Sequence, residues 1–171
     1  MSVTLIPISI GDLRALVESR IPDGIASRAL EEALPPAFVA RRSLEQIAAG
    51  KPVHWCTSFY MLRIADGNIA GSCGFKDAPA NGRVEIGYGV STVCRNQGVA
   101  TAAITALLKI AFASGIVNEV LAQVNPDNIA STRVVEKLGF KSDGLKTDES
   151  NEVLVQWLVT QGKFAQLQEA R

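Results

Sequence analysis

The sequence predicts an α/β protein of the mixed α+β kind, with a central mixed sheet of about six to seven strands, antiparallel in its first half and flanked by helices on both faces. Three strand-like segments follow one another between positions 55 and 90 with tight turns between them, which indicates an antiparallel meander. From position 83 onward strands alternate with helices, which indicates a locally parallel second half. A chain of 171 residues suffices for one sizeable core, so we expect residues 1–171 to form a single domain.

The first third of the chain reads as one short strand and three helices. Residues 3–6 form the strand, and Ser9 can cap a helix that follows it. A second helix is expected over residues 24–34, where two prolines stop it, and a third over residues 41–49, ended by a glycine. This region carries no recognisable chemistry.

The middle of the chain predicts three consecutive strands. Residues 55–64 are rich in β-branched and aromatic side chains, and Asp66-Gly67-Asn68 supplies a turn into a strand at residues 69–76. Asn81-Gly82 then turns the chain into a strand at residues 83–90. Neighbouring strands joined this tightly are antiparallel.

The last third predicts helices that alternate with strands. Residues 98–114 have one apolar stripe, typical of a helix packed on a sheet, and Gly115 is placed to end it. A strand at residues 119–124 and a helix at residues 129–138 follow. The strand at residues 153–159 is apolar on both faces, so we expect both to be covered, and its edge would allow a homodimer.

Composition excludes several classes of partner. Seventeen basic residues balance seventeen acidic ones, which leaves no electrostatic footprint for nucleic acid or membrane. The N-terminal segment has no uninterrupted apolar stretch of the signal-peptide kind, so a cytoplasmic location is expected. The three cysteines are odd in number and lie in apolar segments, which favours buried thiols, and only His54 and Cys56 resemble a pair of metal ligands, so no metal is expected.

The segment from Ser91 to Thr101 joins a strand to the start of the long helix. Backbone N–H groups at a helix N-terminus lack partners inside the helix and carry partial positive charge, so they stabilise a phosphate. Gly98 and Ala100 leave room for close approach. A glycine-containing turn can also have this form without binding anything. A dinucleotide-binding motif is excluded, because threonine stands at position 92 where its third glycine would be. A P-loop is excluded as well, because the phosphate-binding lysine of that motif is missing.

Three motifs in this region resemble the GNAT superfamily of N-acetyltransferases. Arg95-Asn96-Gln97-Gly98-Val99-Ala100 resembles the acetyl-CoA signature, and Asn125-Pro126-Asp127-Asn128-Ile129-Ala130-Ser131 with Val135-Glu136-Lys137-Leu138-Gly139-Phe140 resembles the second signature. Glu85-Ile86-Gly87-Tyr88 is similar to the same strand of Rim-type ribosomal-protein acetyltransferases. The resemblance implies a GNAT-type sheet, acetyl-CoA as co-substrate, and direct transfer of the acetyl group to a primary amine.

The resemblance also implies the residues that hold coenzyme A. The backbone amides of the signature would hold the diphosphate, two valines would flank the pantetheine by backbone contacts, and Asn128 would touch its arm. The signature residues are Arg95, Asn96, Gln97, Gly98, Val99, Ala100 and Thr101, and the valines are Val90 and Val93.

Glu85 is the candidate catalytic base, because the reaction requires a group that removes a proton from the acceptor ammonium. Strand alternation puts Glu85 on the face shared by Gly87 and Gly89, where the glycines leave room for a substrate or a water. The alternative is a carboxylate at the rim of the site that pairs with an arginine.

The catalytic acid has a weaker signal. Many family members have a tyrosine after the second signature, whereas this chain has only Tyr60 and Tyr88, both upstream. Ser131 is the nearest hydroxyl at a matching helix position, although a serine there also serves as a helix cap. A water or the free thiolate itself would be an alternative.

Several functions stay open at this stage. The acceptor is either a protein N-terminus or a small-molecule amine, and neutral total charge favours neither. A non-catalytic acyl-CoA-binding regulatory module would keep the acetyl-CoA signature without turnover. A nucleic-acid-binding protein is disfavoured by the balanced charge.

Overall fold

The structure, a computed structural model, describes residues 1–171 and contains one seven-stranded sheet. The strands are β1 Val3–Pro7, β2 Ser58–Arg63, β3 Ile69–Phe75, β4 Arg83–Val90, β5 Glu119–Val124, β6 Lys141–Thr147 and β7 Val153–Thr160. They lie in the order β1-β2-β3-β4-β5-β7-β6, and every neighbouring pair is antiparallel except β4 and β5. The predicted mixed sheet with an antiparallel first half is therefore confirmed.

Six helices and two short 3₁₀ turns connect the strands. The helices are α1 Ile10–Val17, α2 Ala37–Ala48, α3 Val53–Cys56, α4 Val99–Ala113, α5 Ile129–Lys137 and α6 Gln161–Glu169, and the 3₁₀ turns are Asp23–Ile25 and Thr92–Cys94. α4 connects the only parallel pair of strands, β4 and β5. No helix combines the length and the hydropathy that a membrane span requires.

Helix ends follow the predicted signals. The Ser9 side chain accepts a hydrogen bond of 3.1 Å from the backbone N–H of Asp12 at the start of α1. Gly115 and Gly139 follow α4 and α5 with φ of 75° and 84°, a left-handed conformation that glycine adopts without the steric cost of a Cβ. The capping residues therefore set the limits of these helices locally.

The helix expected over residues 24–34 is wrong. Only Asp23–Ile25 is helical, as a single 3₁₀ turn. The chain then runs beside β3, where Ile69 donates its backbone N–H to Arg28 and accepts one from Leu30. The two bonds to Ile69, together with short local turns such as that from the Ala29 N–H to the Ile25 carbonyl, take the place of a continuous helix, and residues 26–34 form a strap along the sheet.

Two element boundaries differ from the sequence expectation, and two elements are additional to it. α2 begins at Ala37 rather than at residue 41, because Pro36 precedes its first turn and a proline is tolerated there. β2 begins at Ser58 because the residues after Pro52 form α3. β6 and α6 were not expected. Every residue of β6 is exposed, so no apolar alternation marks it, and α6 buries only Phe164.

Two hydrophobic clusters lie on opposite faces of the sheet. The larger has 26 buried residues and centres on α4, where Leu107 is fully buried. The smaller has 8 buried residues and joins α1, through Leu13, to β2 and β3. Phe59 and Met61 belong to the larger cluster and Tyr60 to the smaller, which is the alternation of a strand covered on both faces. The three cysteines are buried and free.

β7 does not have the environment expected of it. Only Val159 is fully buried, and most of the remaining side chains are half-buried. The strand lies between β5 and β6, so both of its edges carry hydrogen bonds. The inference that a homodimer forms through the edge of this strand is wrong, since the two free edges of the sheet belong to β1 and β6.

Gly71 of β3 lies against the backbone of β4 with no room for a side chain. A Cβ at this position would overlap the carbonyl oxygen of Gly89, lie 2.9 Å from Met61 Sδ and lie 3.1 Å from Val90 Cα. Two of these neighbours are backbone atoms, which move only if the strands separate. Glycine is therefore required by the approach of the strands at this position.

We predict that Gly71→Ala lowers the free energy of unfolding by about 2–3 kcal/mol, because the added methyl overpacks the strands. Urea titration followed by circular dichroism measures it. Gly162→Ala is the matched control, because this glycine lies inside α6 with nothing within 4 Å of an added Cβ, and it should be neutral or stabilising. Equal stability of the two variants would contradict the prediction.

Candidate active site

The turn between β4 and α4 contains two left-handed residues. Asn96 has φ of 58°, and Gly98, which immediately precedes α4, has φ of 78°. Asparagine and glycine are the residues that adopt this conformation most readily. Successive N–H groups in such a turn form a concave surface that suits an anion.

Six successive backbone N–H groups, from Asn96 to Thr101, donate to no acceptor in the protein. The next N–H, that of Ala102, donates to the Gly98 carbonyl at 3.0 Å and begins the hydrogen bonding of α4. Free N–H groups at a helix N-terminus carry partial positive charge, so this stretch can hold a diphosphate.

Five of these six residues, all except Gln97, line a cleft of about 750 Å³, called here the turn cleft. It runs between the turn and α5, and α5 contributes the cations Arg133 and Lys137 to its lining. Of the residues predicted to hold a cofactor, the turn cleft is lined by Val90, Arg95, Asn96, Gly98, Val99, Ala100, Thr101 and Asn128. The structure thus brings eight of the ten predicted residues to one cavity.

Val93 and Gln97 lie outside the lining of the turn cleft. Val93 is 59% exposed, and its carbonyl accepts a hydrogen bond of 2.9 Å from Gln97 Nε2. Gln97 Oε1 accepts another from Arg63 Nη1 at 3.2 Å. The Gln97 side chain therefore ties the turn to β2, while its free backbone N–H remains one of the six.

β4 and β5 diverge next to this turn. Their parallel pairing runs from Arg83 with Glu119 to Ile86 with Ala122 and then stops. Beyond it, β4 stays paired only with β3, and β5 only with β7. The gap opens the sheet at the carboxyl ends of its two parallel strands, where α/β proteins commonly bind ligands.

A second cleft of about 430 Å³ lies between the start of α2 and the opened sheet, and is called the α2 cleft. Arg42 of α2, Lys76 and Gln123 of β5 contribute polar groups to it. It shares part of its lining with the turn cleft, namely Glu32, Tyr88, Gly89, Asn128 and Ser131. The two cavities therefore meet where β4 leaves β5, and a ligand in one can reach a ligand in the other.

Glu85 lies at the end of the α2 cleft but not in its lining. Its Oε1 accepts hydrogen bonds from Lys76 Nζ at 2.5 Å and from Gln123 Nε2 at 2.9 Å, and both of these partners line the cleft. Its Oε2 accepts no hydrogen bond from the protein. Glu85 therefore has the geometry of the alternative given above, a carboxylate paired with a cation, although its partner is a lysine and not an arginine.

Two hydroxyl groups lie where the clefts meet. Asn128 caps α5 by accepting the backbone N–H of Ser131 at 3.0 Å, which leaves the Ser131 hydroxyl free of the capping role. The Tyr88 hydroxyl donates to the Ser131 carbonyl at 3.3 Å. Burial raises the pKa of the Tyr88 phenol above its ordinary value, so this group keeps its proton at neutral pH.

Sequence reasoning missed four residues of the site. A tyrosine is expected after the second signature, whereas Tyr88 precedes that signature and is brought beside Ser131 of α5 by β4. Arg42, Lys76 and Gln123 come from three separate segments with no motif. Strand alternation does place Gln123, two residues after Leu121, on the face of Glu85, because Leu121 pairs with Glu85, and that signal could have found it.

Solved structures resemble this fold over nearly their whole length. Aminoglycoside acetyltransferase AAC(6')-Ib in complex with coenzyme A has a TM-score of 0.70 at 19% identity, covering 96% of this chain and 98% of that chain. RimJ of Mycobacterium smegmatis in complex with CoA-disulfide has a TM-score of 0.66 at 20% identity, covering 98% of this chain and 88% of that chain. At identities this low, the similarity shows a shared fold and nothing further.

Two bacterial relatives match about half of the chain. The uncharacterized N-acetyltransferase p20 of Bacillus licheniformis is 35% identical over 81 residues, which are 47% of this chain and 46% of that protein. The uncharacterized N-acetyltransferase YjdG of Bacillus subtilis is 31% identical over 84 residues, 48% of this chain and 50% of that protein. The chain spans about half the length of the curated relatives it matches.

One family model matches most of the chain. It describes an acetyltransferase (GNAT) domain, and the match covers residues 2–141. This range contains the turn, both clefts and the two hydroxyl groups at their junction. The chain therefore belongs to the GNAT acetyltransferase domain family.

Proposed function

We propose that residues 1–171 act as one acetyl-CoA-dependent N-acetyltransferase that moves an acetyl group directly to a primary amine. One observation carries this function: six successive residues have free N–H groups, and five of them line a cleft that meets a second cleft where β4 diverges from β5. The first cleft suits a phosphate-bearing carrier and the second suits an acceptor. The GNAT family and the neighbours solved with coenzyme A support it.

The turn cleft offers the groups that coenzyme A requires. The free N–H groups of residues 96–101 would hold the diphosphate, and the small residues Gly98 and Ala100 leave them accessible. Val90 and Asn128 lie along the path toward the junction, with Val93 and Gln97 taking part through backbone atoms and through the position of the turn. When bound, acetyl-CoA supplies the acetyl group as an activated thioester.

Glu85 would act as the base through a water molecule in the α2 cleft. Its Oε2 is free to accept a hydrogen bond, whereas Lys76 and Gln123 fix Oε1. The carboxylate is separated from the junction by the small residues Gly87 and Gly89 on its own face of β4. Gly89 has open space beside it, whereas the Lys76 side chain lies against Gly87, so a water between the acceptor nitrogen and Glu85 would have to lie beside Lys76.

The acid would be a hydroxyl at the junction. Ser131 was the candidate from the sequence, and Tyr88 lies beside it. A phenol gives up its proton far more readily than an aliphatic hydroxyl, so Tyr88 is the better donor to a departing thiolate. We assign Tyr88 as donor and Ser131 as the residue whose carbonyl orients it.

Acetyl-CoA titration by calorimetry and thiol release with a panel of amines test this function together. Binding accompanied by amine-dependent thiol release supports the enzyme. Binding without release on any amine would support the non-catalytic acyl-CoA-binding module, which the position of Glu85 behind Lys76 and Gln123 favours. Absence of binding would reject both.

We predict that Gly98→Leu weakens acetyl-CoA binding at least about tenfold, because the turn can no longer present its N–H groups together. Calorimetry measures the affinity. Gly115→Leu at the other end of α4 is the matched control, since φ is 75° there against 78° at Gly98 and both substitutions cost about 1–2 kcal/mol of strain. Unchanged affinity in folded Gly98→Leu would reject the proposed coenzyme site.

We predict that Glu85→Gln lowers kcat about a hundredfold and leaves acetyl-CoA affinity intact, because the amide keeps the hydrogen-bonding shape but cannot take a proton. Thiol release measures the rate. The control is Glu119→Gln on β5, whose carboxylate is also 24% exposed and also pairs with a cation, Arg83, at 2.6 Å. Full activity of Glu85→Gln would remove Glu85 from the mechanism.

We predict that Tyr88→Phe lowers kcat about 10- to 100-fold and that Ser131→Ala has a smaller effect, because only Tyr88 is assigned as proton donor. Phenylalanine preserves the ring, so the fold and acetyl-CoA affinity should be retained. Steady-state thiol release compares the two variants. The reverse order of effects would assign the proton transfer to Ser131.

A further inference from the structure

The charged groups of the α2 cleft indicate which class of amine it would accept. The inference drawn from them rests on the proposed acetyltransferase function. Three charged residues line the cleft: Glu32, Arg42 and Lys76. Glu32 is exposed and lies in the part shared with the turn cleft, whereas Arg42 and Lys76 are partly buried and line the α2 cleft alone.

Lys76 is already neutralised by the protein. Its ammonium pairs with Glu85 at 2.5 Å. The neighbouring carboxylate, Asp77, pairs with Lys51 at 2.6 Å and is likewise engaged. Neither carboxylate forms a second ion pair within 4 Å, although Glu85 Oε2 accepts no hydrogen bond from the protein.

Arg42 has no such partner. No carboxylate lies within 4 Å of its guanidinium, and it donates no hydrogen bond to the protein. Burial lowers the pKa of Arg42 below its ordinary value, and Glu85 and Asp77 partly offset this at longer range. A guanidinium keeps its charge at any ordinary pH. The partly buried guanidinium of Arg42 therefore lines the cleft as a cation, and its five N–H donors have no acceptor in the protein.

The same end of α2 supplies an apolar wall. Phe38 lies one helical turn before Arg42 and is 65% exposed, and Leu34, Pro35 and Val39 line the cleft beside it. A site with one cation and an apolar wall suits a small molecule that has an anionic end and an apolar part.

We propose that the acceptor is a primary amine that also bears a carboxylate, in the manner of a free amino acid, and that Arg42 binds this carboxylate. A carboxylate accepts two parallel hydrogen bonds from a guanidinium and neutralises it. A polycationic amine would instead meet an unbalanced positive charge in a half-buried site. The inference narrows the acceptor class and assigns Arg42 as the residue that selects it.

The test compares L-leucine with L-leucinamide, which differ in the carboxylate, and adds spermidine and kanamycin as polycationic amines. Acetylation is followed by thiol release at saturating acetyl-CoA, and binding of each probe to the protein saturated with coenzyme A is measured by calorimetry. The variants are Arg42→Gln and Arg42→Lys, with Arg41→Gln as control, because Arg41 is the next residue on α2, is exposed and lines neither cleft.

The expected result is that Arg42→Gln lowers the leucine-to-leucinamide ratio, in kcat/KM and in affinity, about 10- to 100-fold. L-leucine and L-leucinamide differ in the basicity of the amine, but this difference is the same for every protein, so it cancels when the ratio of a variant is divided by that of the wild type. The ratio of Arg42→Lys should lie between those of the wild type and Arg42→Gln, because lysine keeps the charge but lacks the planar guanidinium that binds both carboxylate oxygens. Arg41→Gln should retain the wild-type ratio. Unchanged acetyl-CoA affinity shows that each variant is folded.

An unchanged ratio in Arg42→Gln, or wild-type preference for spermidine or kanamycin over L-leucine, overturns the inference and leaves the acetyltransferase function standing. If acetyl-CoA binds and no amine is acetylated, the proposed function fails, and the calorimetric ratio still decides whether Arg42 selects a carboxylate. A peptide amide with an acidic second residue, compared with its neutral counterpart, tells whether the carboxylate belongs to a free amino acid or to an acidic peptide.

Discussion

The divergence of β4 from β5 beyond Ile86 and Ala122 is the constraint on which the site depends. If the parallel pairing continued, the sheet would be closed at this point and its two faces would be separated by hydrogen-bonded backbone. Because the pairing stops, the turn cleft and the α2 cleft meet at Tyr88 and Ser131. The proposed carrier site and the proposed acceptor site are thereby in contact.

The turn before α4 shows how local strain is combined with tertiary support. Two left-handed residues expose its N–H groups, and such a turn would be costly if it were held by its own backbone alone. Arg63 of β2 donates to Gln97 and to Cys94, and it is itself held by an ion pair with Asp66. These contacts from the neighbouring sheet stabilise the conformation that presents the N–H groups.

The charges of the α2 cleft follow a simple arrangement. Lys76 lines the cleft and pairs with Glu85, while Lys51 and Asp77 pair with each other outside the lining, so both pairs are complete within the protein. Arg42 is left over, half-buried between them. Pairs that are neutral contribute little to ligand selection, whereas an uncompensated cation in a partly desolvated cavity does, because its interaction with an anion is weakly screened.

The sequence by itself determined the mixed sheet, the helix ends at Ser9 and Gly115, and the turn that contains Gly98, because each depends on residues close together in the chain. It did not determine the strap at residues 26–34, which pairs with β3 far along the chain, or β6, whose side chains are all exposed and show no apolar alternation. Nor did it reveal Tyr88 and Arg42 as site residues. Their roles arise only where β4, α2 and α5 meet, and contacts between segments far apart in sequence leave no periodic or local signal.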